Sequence, residues 1–284
     1  MMVYVSTGYI RNMSAAQYAL SLYSSGIKNI ELSGGGHSDD YLSELRQLPS
    51  DLEFQIHNYY PPPSKPFVLN LASGDSEIAR RSIAHIKTAM QVVREFKLSS
   101  YSLHAGFLID PSPSSLGGIL ESSCIMSRDE GLSNFFSNIE LCLNDLPDGS
   151  VLLIENNVLN KKTLHHYGTN PLLLVDPYEI IEFLSKLPSN VRLLLDVAHL
   201  KVSASTLGFD LHEAHKLLTP FIGAYHLSEN DGSVDSNDKV METSWFWEGL
   251  VPDLAHYTLE VYNTPHVDLV SQVELSKRKI QALC

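Results

Sequence analysis

Short apolar runs alternate with longer amphipathic stretches along the whole chain. The clearest amphipathic stretch covers residues 75–97, where apolar side chains recur at spacings of three and four, as at Ile83, Ile86 and Met90. That spacing places apolar side chains on one face of a helix, and Asp75 is a suitable N-cap for it. Further helices are predicted at 14–24, 39–48, 128–146, 177–187, 211–221 and 268–283, with a weaker indication at 244–254.

The apolar runs between these stretches are short enough to be strands. Strands that alternate with helices form parallel βαβ units. Eight such units in a chain of 284 residues match an α/β protein of the (β/α)8 class, the TIM barrel, whose usual length is about 250 residues. We therefore predict a single TIM barrel domain over residues 1–284. The predicted strands are 2–7, 29–33, 52–57, 101–104, 151–156, 191–197, 222–227 and 257–261.

A doubly wound open sheet is the alternative fold. Such sheets usually carry a glycine-rich phosphate-binding turn after the first strand, whereas Gly8 is the one glycine at that point. The barrel is therefore favoured. Long connections follow four of its strands, on the face where TIM barrels carry their active sites. They cover residues 58–74, 105–127, 157–176 and 228–244.

The composition, 44% hydrophobic and 19% charged residues, is typical of a globular chain and excludes disorder as its main state. No apolar run approaches the ~20 residues that a membrane helix needs. The N-terminus lacks a basic region followed by an apolar stretch, so no signal peptide is predicted. We therefore expect a cytoplasmic protein that does not bind membranes.

The charge balance limits the partners of the protein. Asp and Glu total 33 against 20 Lys and Arg, a net charge of −13. Lys and Arg supply most non-specific affinity for nucleic acid, so nucleic acid is not expected as a partner. The three cysteines are an odd number without C-x-x-C spacing, which argues against a disulfide framework and a thiolate metal site.

An ionisable residue stands at or near the C-terminal end of seven predicted strands. Burying one such group without a partner costs several kcal/mol, and seven independent cases would be very unfavourable. Carboxylates and imidazoles that converge on a cation would satisfy one another, which predicts a metal site at this face. These residues are Glu31, His57, His104, Glu155, Asp196, His226 and Glu260.

The residue types indicate which metals could bind. The set from the last four strands is rich in oxygen with one imidazole, and it suits Mn²⁺, Mg²⁺, Co²⁺ or Fe²⁺ at least as well as Zn²⁺. His57 and His104 with Glu155 form a nitrogen-rich set more typical of Zn²⁺. Glu155 belongs to both sets, so one or two ions per chain are expected. The oxygen-rich set is Glu155, Asp196, His226 and Glu260.

Four motifs around these residues carry a resemblance that covers essentially the whole chain. The chain resembles the xylose-isomerase-like barrel superfamily, which contains sugar isomerases and epimerases together with endonuclease IV. The resemblance implies that the oxygen-rich set holds one divalent ion and that Glu155 and Glu260 also serve as acid and base. The motifs are Ile154-Glu155-Asn156, Leu195-Asp196-Val197-Ala198-His199, His226-Leu227-Ser228-Glu229-Asn230-Asp231 and Leu259-Glu260-Val261.

The stretch from His57 to His104 is more similar to endonuclease IV, in which matching histidines bind an additional zinc. A third zinc of that enzyme uses a histidine matching His199 and an Asp-x-His after the seventh strand, but residues 236–240 contain no histidine. Two departures concern the epimerases. Lys161 stands where they have a glutamate, and Gly232 stands where they have a substrate-binding arginine.

The leading functional prediction is a metal-dependent isomerase or epimerase that acts on a small sugar or sugar phosphate by proton transfer next to a carbonyl. His199 is expected to hydrogen-bond a substrate oxygen, and Glu31, Asn156 and Lys161 are predicted to contact the carbohydrate. A metal-dependent phosphodiesterase acting on abasic DNA is the alternative, and a barrel that only binds a ligand is a third hypothesis. A homodimer is expected from the resemblance. We also expect Glu155→Gln to raise the melting temperature of the metal-free protein.

Overall fold

A computed structural model describes residues 2–115 and 124–283 of the chain. Within them, eight parallel strands form a closed barrel in sequence order, and β1 pairs with β8 to close it. The predicted TIM barrel is therefore confirmed. The strands are β1 Val3–Ser6, β2 Asn29–Leu32, β3 Glu53–His57, β4 Ser100–His104, β5 Val151–Glu155, β6 Val191–Asp196, β7 Ile222–Leu227 and β8 Tyr257–Leu259.

Helices connect the strands along the outside of the barrel. Of the predicted loop at 105–127, residues 116–123 lie outside the described residues. No helix in the described part of the chain is long and apolar enough to cross a membrane. The helices are α1 Ala15–Ser24, α2 Tyr41–Arg46, α3 Ser76–Phe96, α4 Arg128–Leu143, α5 Lys161–Tyr167, α6 Pro177–Leu184, α7 Val197–Leu207, α8 Leu211–Leu218 and α9 His266–Gln281.

The limits of α3 follow from its terminal residues. The Asp75 carboxylate accepts hydrogen bonds from the backbone N–H groups of Glu77 and Ile78, at 2.8 and 3.2 Å. These bonds satisfy donors that have no partner inside a helix. Lys97, with a φ of 53°, takes the left-handed conformation that ends many helices. The observed helix agrees with the prediction of 75–97.

The apolar pattern does not predict α5 or α7. The first four residues of α7 are all buried, and a helix buried on several sides lacks the one-face periodicity of a surface helix. Helix α5 is seven residues long and lies inside the predicted loop at 157–176. The weak helix indication at 244–254 corresponds to a single 3-10 turn, Trp247–Gly249.

The barrel interior has an apolar floor beneath its charged end. Leu153, Leu194 and Ala224 form a small buried cluster. Each lies two residues before the ionisable residue of its strand, and alternate residues of a strand share one face. The three ionisable residues therefore lie above this cluster, toward the C-terminal face of the barrel. The larger core lies between the strands and the helices.

Candidate metal centre

Four ionisable side chains meet at the C-terminal ends of β5 to β8. Glu155 and Asp196 are the last residues of β5 and β6, His226 is the next to last residue of β7, and Glu260 follows β8. One potential ligand atom from each residue lies within 4.8 Å of the others. The four residues are between 0% and 7% exposed, so the group is enclosed by protein. We call it the four-residue group.

The His226 ring faces all three carboxylates of this group. Its Nδ1 atom lies 3.4 Å from Glu155 Oε1, 3.6 Å from Glu260 Oε2 and 3.9 Å from Asp196 Oδ2. These distances are longer than ordinary hydrogen bonds. The four atoms thus border one small space, in which each of them could be a ligand.

Several of these atoms have no hydrogen-bond partner among the described residues. They are both carboxylate oxygens of Glu155, Asp196 Oδ2 and His226 Nδ1, and all are buried. Most buried polar atoms in proteins are hydrogen-bonded, and a buried charge without a partner is costly. A divalent cation would supply the missing partner to all of them, so these residues fit a metal ion.

A second group shares Glu155. His57 Nε2 and His104 Nδ1 lie 3.2 and 3.3 Å from Glu155 Oε2, at the ends of β3 and β4. The other ring nitrogen of His57 lies 2.9 Å from Ser102 Oγ. The His104 side chain is 30% exposed, whereas that of His57 is 5% exposed. We call His57, His104 and Glu155 the histidine-pair group, and its three residues could also hold an ion.

Electrostatics hold Glu155 ionised. Burial opposes the ionisation of this carboxyl, but the imidazoles of His104, His226 and His57 outweigh burial and hold the pKa of Glu155 well below its usual range. Asp196 behaves differently, since burial, with Asp235 and Glu155 adding to it, raises its pKa to about 7. The pKa values of Glu155 and Asp196, two carboxyls of the four-residue group, are therefore shifted in opposite directions.

The charges of the buried carboxylates at this end of the barrel favour binding of a cation. In the described part of the chain, no Lys or Arg forms an ion pair with Glu31, Glu155, Asp196 or Glu260. Imidazoles are the basic side chains that contact these carboxylates. Carboxylates gathered around imidazoles alone attract a divalent ion.

His199, the predicted substrate contact, lies beside the four-residue group. Its Nδ1 donates to the backbone oxygen of Asn156 at 2.8 Å, and its Nε2 lies 3.3 Å from Asp235 Oδ2. Burial disfavours the charged ring, but the carboxylates of Asp196 and Asp235 raise the pKa of His199 well above its usual value. The backbone contact fixes the ring orientation, and binding to a substrate stays a prediction.

Asn156 and Lys161 have different surroundings. The Asn156 side-chain amide donates to the backbone oxygen of Asp196 at 3.1 Å and accepts from the backbone N–H of Asp196 at 2.8 Å. It thereby holds the end of β5 to the end of β6. Lys161 is exposed at the start of α5, and no described ion pair joins it to the cluster. Their contact with a carbohydrate stays a prediction.

Glu31 contacts the His226 ring on the nitrogen opposite the one that faces the other carboxylates. It is 0% exposed, and its carboxylate accepts a hydrogen bond from Thr258 Oγ1 at 3.0 Å. Glu31 Oε2 also lies 3.2 Å from His226 Nε2, the ring nitrogen that faces away from the other carboxylates. The predicted contact of Glu31 with a substrate stays a prediction. In the structure, the carboxylate of Glu31 contacts His226.

Three residues near the site are absent from the predicted set. Ser6 Oγ and the Tyr262 hydroxyl each donate to Glu260 Oε1 at 3.1 Å. Asp235 reaches His199 because an antiparallel bridge between Glu229 and Asp238 folds the loop after β7 back on itself. Tyr262 could have been predicted from the sequence, because it lies two residues after Glu260 and alternate residues of an extended segment share one face. Nothing in the sequence separates Asp235 from its acidic neighbours.

Comparison with known proteins gives the family and the fold. A structure of a D-tagatose 3-epimerase-like protein is 20% identical, with a TM-score of 0.72, covering 99% of this chain and 98% of that one. D-psicose 3-epimerase from Clostridium cellulolyticum is 13% identical, with a TM-score of 0.63, covering 99% and 96%. Endonuclease IV from Thermus thermophilus is 12% identical, with a TM-score of 0.57, covering 99% and 100%.

No curated protein sequence matches the chain. The structural similarities show the fold, which sugar epimerases and endonuclease IV share. The model of the xylose isomerase-like TIM barrel family matches residues 22–277. Since this match spans most of the 284 residues, the chain belongs to the xylose isomerase-like TIM barrel family.

Proposed function

We propose that the protein is a metal-dependent isomerase or epimerase of a small sugar or sugar phosphate. The observation that carries this proposal is the four-residue group, in which buried carboxylate and imidazole atoms without hydrogen-bond partners face one space. Family membership and the fold shared with sugar epimerases support it. The substrate class, a small sugar or sugar phosphate, is the most specific part of the proposal.

The donor set of the four-residue group consists of three carboxylates and one imidazole. Such a set suits Mn²⁺, Mg²⁺ or Co²⁺ at least as well as Zn²⁺. When bound, the cation would act as a Lewis acid that polarises the substrate carbonyl and lowers the barrier to removing the neighbouring proton. Glu155, Asp196, His226 and Glu260 would hold it.

Glu155 and Glu260 are assigned to the proton transfer. Both carboxylates border the space in front of His226 Nδ1, at 3.4 and 3.6 Å from that atom. Ser6 and Tyr262 occupy Glu260 Oε1 with hydrogen bonds, so Oε2 is the oxygen that faces the centre. A positioned acid or base typically contributes about 10²- to 10⁴-fold to the rate.

His199 is assigned to a substrate oxygen. Its Nδ1–H is engaged by the Asn156 carbonyl, so a substrate oxygen would have to share the Nε2 hydrogen with Asp235 or displace Asp235 from it. Asp235 Oδ2 lies 3.3 Å from that nitrogen and favours a proton on it. A protonated Nε2 would donate a hydrogen bond to a substrate hydroxyl or carbonyl oxygen.

Solvent exchange tests this proposal. The protein loaded with Mn²⁺ or Co²⁺ is incubated in D₂O with a panel of ketoses, aldoses and their phosphates, and deuterium incorporation is followed by NMR. We expect exchange at the carbon next to the carbonyl for at least one sugar, loss of exchange after chelation, and a lower rate in Glu260→Gln. Absence of exchange from the whole panel by metal-loaded protein would contradict the proposal.

The histidine-pair group favours a second candidate, a metal-dependent phosphodiesterase acting on abasic DNA. His57 and His104 lie close enough to Glu155 Oε2 for that carboxylate to bridge two ions, and two ions could clamp a phosphate. The net charge of −13 opposes binding to DNA. Cleavage of an abasic oligonucleotide, at a rate that falls steeply with added salt, would support this candidate over the isomerase.

The metal content of protein purified without chelators separates the hypotheses. About one ion per chain favours the isomerase, two or three favour the phosphodiesterase, and none counts against both. A barrel that only binds a ligand would retain undiminished sugar affinity in its metal-free form.

A further inference from the structure

The buried carboxylate of Glu31 contacts two side chains, those of Thr258 and His226. The residue is 0% exposed. Its Oε2 accepts a hydrogen bond from the Thr258 hydroxyl at 3.0 Å. Both of its oxygens lie near one ring nitrogen of His226, with Nε2 3.1 Å from Oε1 and 3.2 Å from Oε2. Among the described residues, the groups that hold the Glu31 carboxylate are therefore one hydroxyl and one imidazole.

These contacts determine where His226 carries a hydrogen. An ionised carboxylate can only accept hydrogen bonds, so His226 Nε2 must be the donor to Glu31. A neutral imidazole with its hydrogen on Nε2 presents a lone pair at Nδ1. When a cation takes the place of any proton on Nδ1, that lone pair points at the space bordered by Glu155, Asp196 and Glu260.

We propose that Glu31 is a positioning residue, which fixes the tautomer and the ring orientation of His226 so that Nδ1 is the ligand atom. Thr258 in turn holds the Glu31 carboxylate. Glu31 contacts Nε2, whereas the space for the ion lies in front of Nδ1, so Glu31 would act through the ring. This inference rests on the proposed metal-dependent function.

The side-chain chemistry predicts what Glu31→Gln would change. Glutamine has nearly the same shape as glutamate, but its amide carries both a donor and an acceptor. The amide could therefore accept from Nε2–H or donate to a bare Nε2, and the tautomer of His226 would no longer be enforced. Loss of a residue that orients a metal ligand typically weakens metal binding about 10- to 100-fold.

Calorimetric titration with Co²⁺ of the full-length protein measures the affinity and the number of ions bound. We expect Glu31→Gln to weaken binding about 10- to 100-fold with the stoichiometry unchanged. Thr258→Val should weaken it less, and it serves as the second variant if Glu31→Gln does not fold. The control is Glu53→Gln, which removes one exposed negative charge at the start of the neighbouring strand β3 and should leave the affinity unchanged.

A spectroscopic measurement tests the tautomer directly. In protein labelled with ¹⁵N-histidine and loaded with Zn²⁺, long-range ¹⁵N–¹H NMR should show the hydrogen of His226 on Nε2. In metal-free Glu31→Gln at alkaline pH, we expect a mixture of both tautomers, whereas the metal-free parent should keep Nε2–H. A merely structural role of Glu31 would leave the tautomer of His226 unchanged.

Other results would overturn the inference. Loss of one equivalent of Co²⁺ in Glu31→Gln would make Glu31 a ligand, since Glu31, His57 and His226 also lie close enough to hold an ion. Unchanged affinity with a raised KM would make Glu31 a substrate contact. If the parent binds no metal, the proposed function fails, and the tautomer in metal-free protein still decides the role of Glu31.

Discussion

The two groups that share Glu155 differ in exposure and in chemistry. The four-residue group is enclosed and oxygen-rich, with every member 7% exposed or less. The histidine-pair group is rich in nitrogen and opens toward solvent through His104, whose side chain is 30% exposed. An enclosed set of carboxylates retains a cation, while an open imidazole exchanges more readily with water. From this comparison we expect the four-residue group to bind a cation more tightly than the histidine-pair group.

Removing the shared residue should have the largest effect. Glu155→Gln is expected to weaken cation binding at both groups and to lower the exchange rate by about 10²- to 10⁴-fold. Metal stoichiometry by elemental analysis and deuterium exchange measure these effects. Undiminished metal binding in this variant would show that Glu155 is not a ligand.

The surroundings of Glu155 lead to an expectation for the metal-free form of the same variant that is opposite to the one drawn from the sequence. The imidazoles around Glu155 hold the pKa of its carboxyl well below the unfolded value despite burial. A depressed pKa of an acid means that its ionised form stabilises the folded protein above the unfolded pKa. Glu155→Gln should therefore lower the melting temperature of the metal-free protein at neutral pH, and calorimetry in the presence of a chelator measures the change. A raised melting temperature would show that carboxylate repulsion outweighs these imidazole contacts.

The next largest effect is expected at Asp196, which has two roles in the structure. Its Oδ1 accepts the backbone N–H of His199 at 2.8 Å and caps α7, while Oδ2 faces His226. Asp196→Asn can keep the cap but loses a charged ligand, so metal affinity should fall while the metal-free melting temperature changes little. Asp196→Ala should also lose the cap, at about 1 kcal/mol. Equal melting temperatures of the two metal-free variants would contradict the capping role.

His57→Ala sharpens the comparison between the groups. We expect it to abolish the weaker of two Co²⁺ binding events and to leave the tighter event, at the four-residue group, unchanged. Calorimetric titration resolves the two events. A single binding event in both parent and variant would show that the histidine pair holds no cation. Ser102, which contacts His57 Nδ1, offers a milder variant, Ser102→Ala.

The last prediction concerns a histidine outside both groups, where we expect an effect on stability and none on metal binding. His215 is 3% exposed, and burial lowers its pKa to about 4. Its neutral form therefore stabilises the folded state above pH 6.5, and this stability is lost as the pH falls from 6.5 toward 4. Melting curves at pH 7.5 and pH 5 should show a smaller acid-induced loss in His215→Gln, by at most on the order of 2–3 kcal/mol. An equal loss in parent and variant would contradict the lowered pKa.

The sequence predicted the barrel because short apolar runs mark the strands and a one-face apolar period marks most of the helices. It did not predict α7, whose residues near Ala198 are buried on several sides. The residues of the four-residue group could be predicted since strand ends lie together in a parallel barrel. Asp235 could not, because its position depends on the path of a long loop. The contacts of Glu31 with His226 likewise depend on how deeply each side chain lies, which strand order alone does not specify.

Helix α7 begins at the residue that follows the end of β6. This has a consequence for how the sequence could change during evolution. Asp196 ends the strand and caps the helix, so this part of the four-residue group is built on regular backbone. The long connections after β3, β4 and β7 reach the same face without supplying residues of the four-residue group. Insertions and deletions in those connections could therefore change what surrounds the four-residue group over evolutionary time. The four residues themselves would keep their positions through such a lineage.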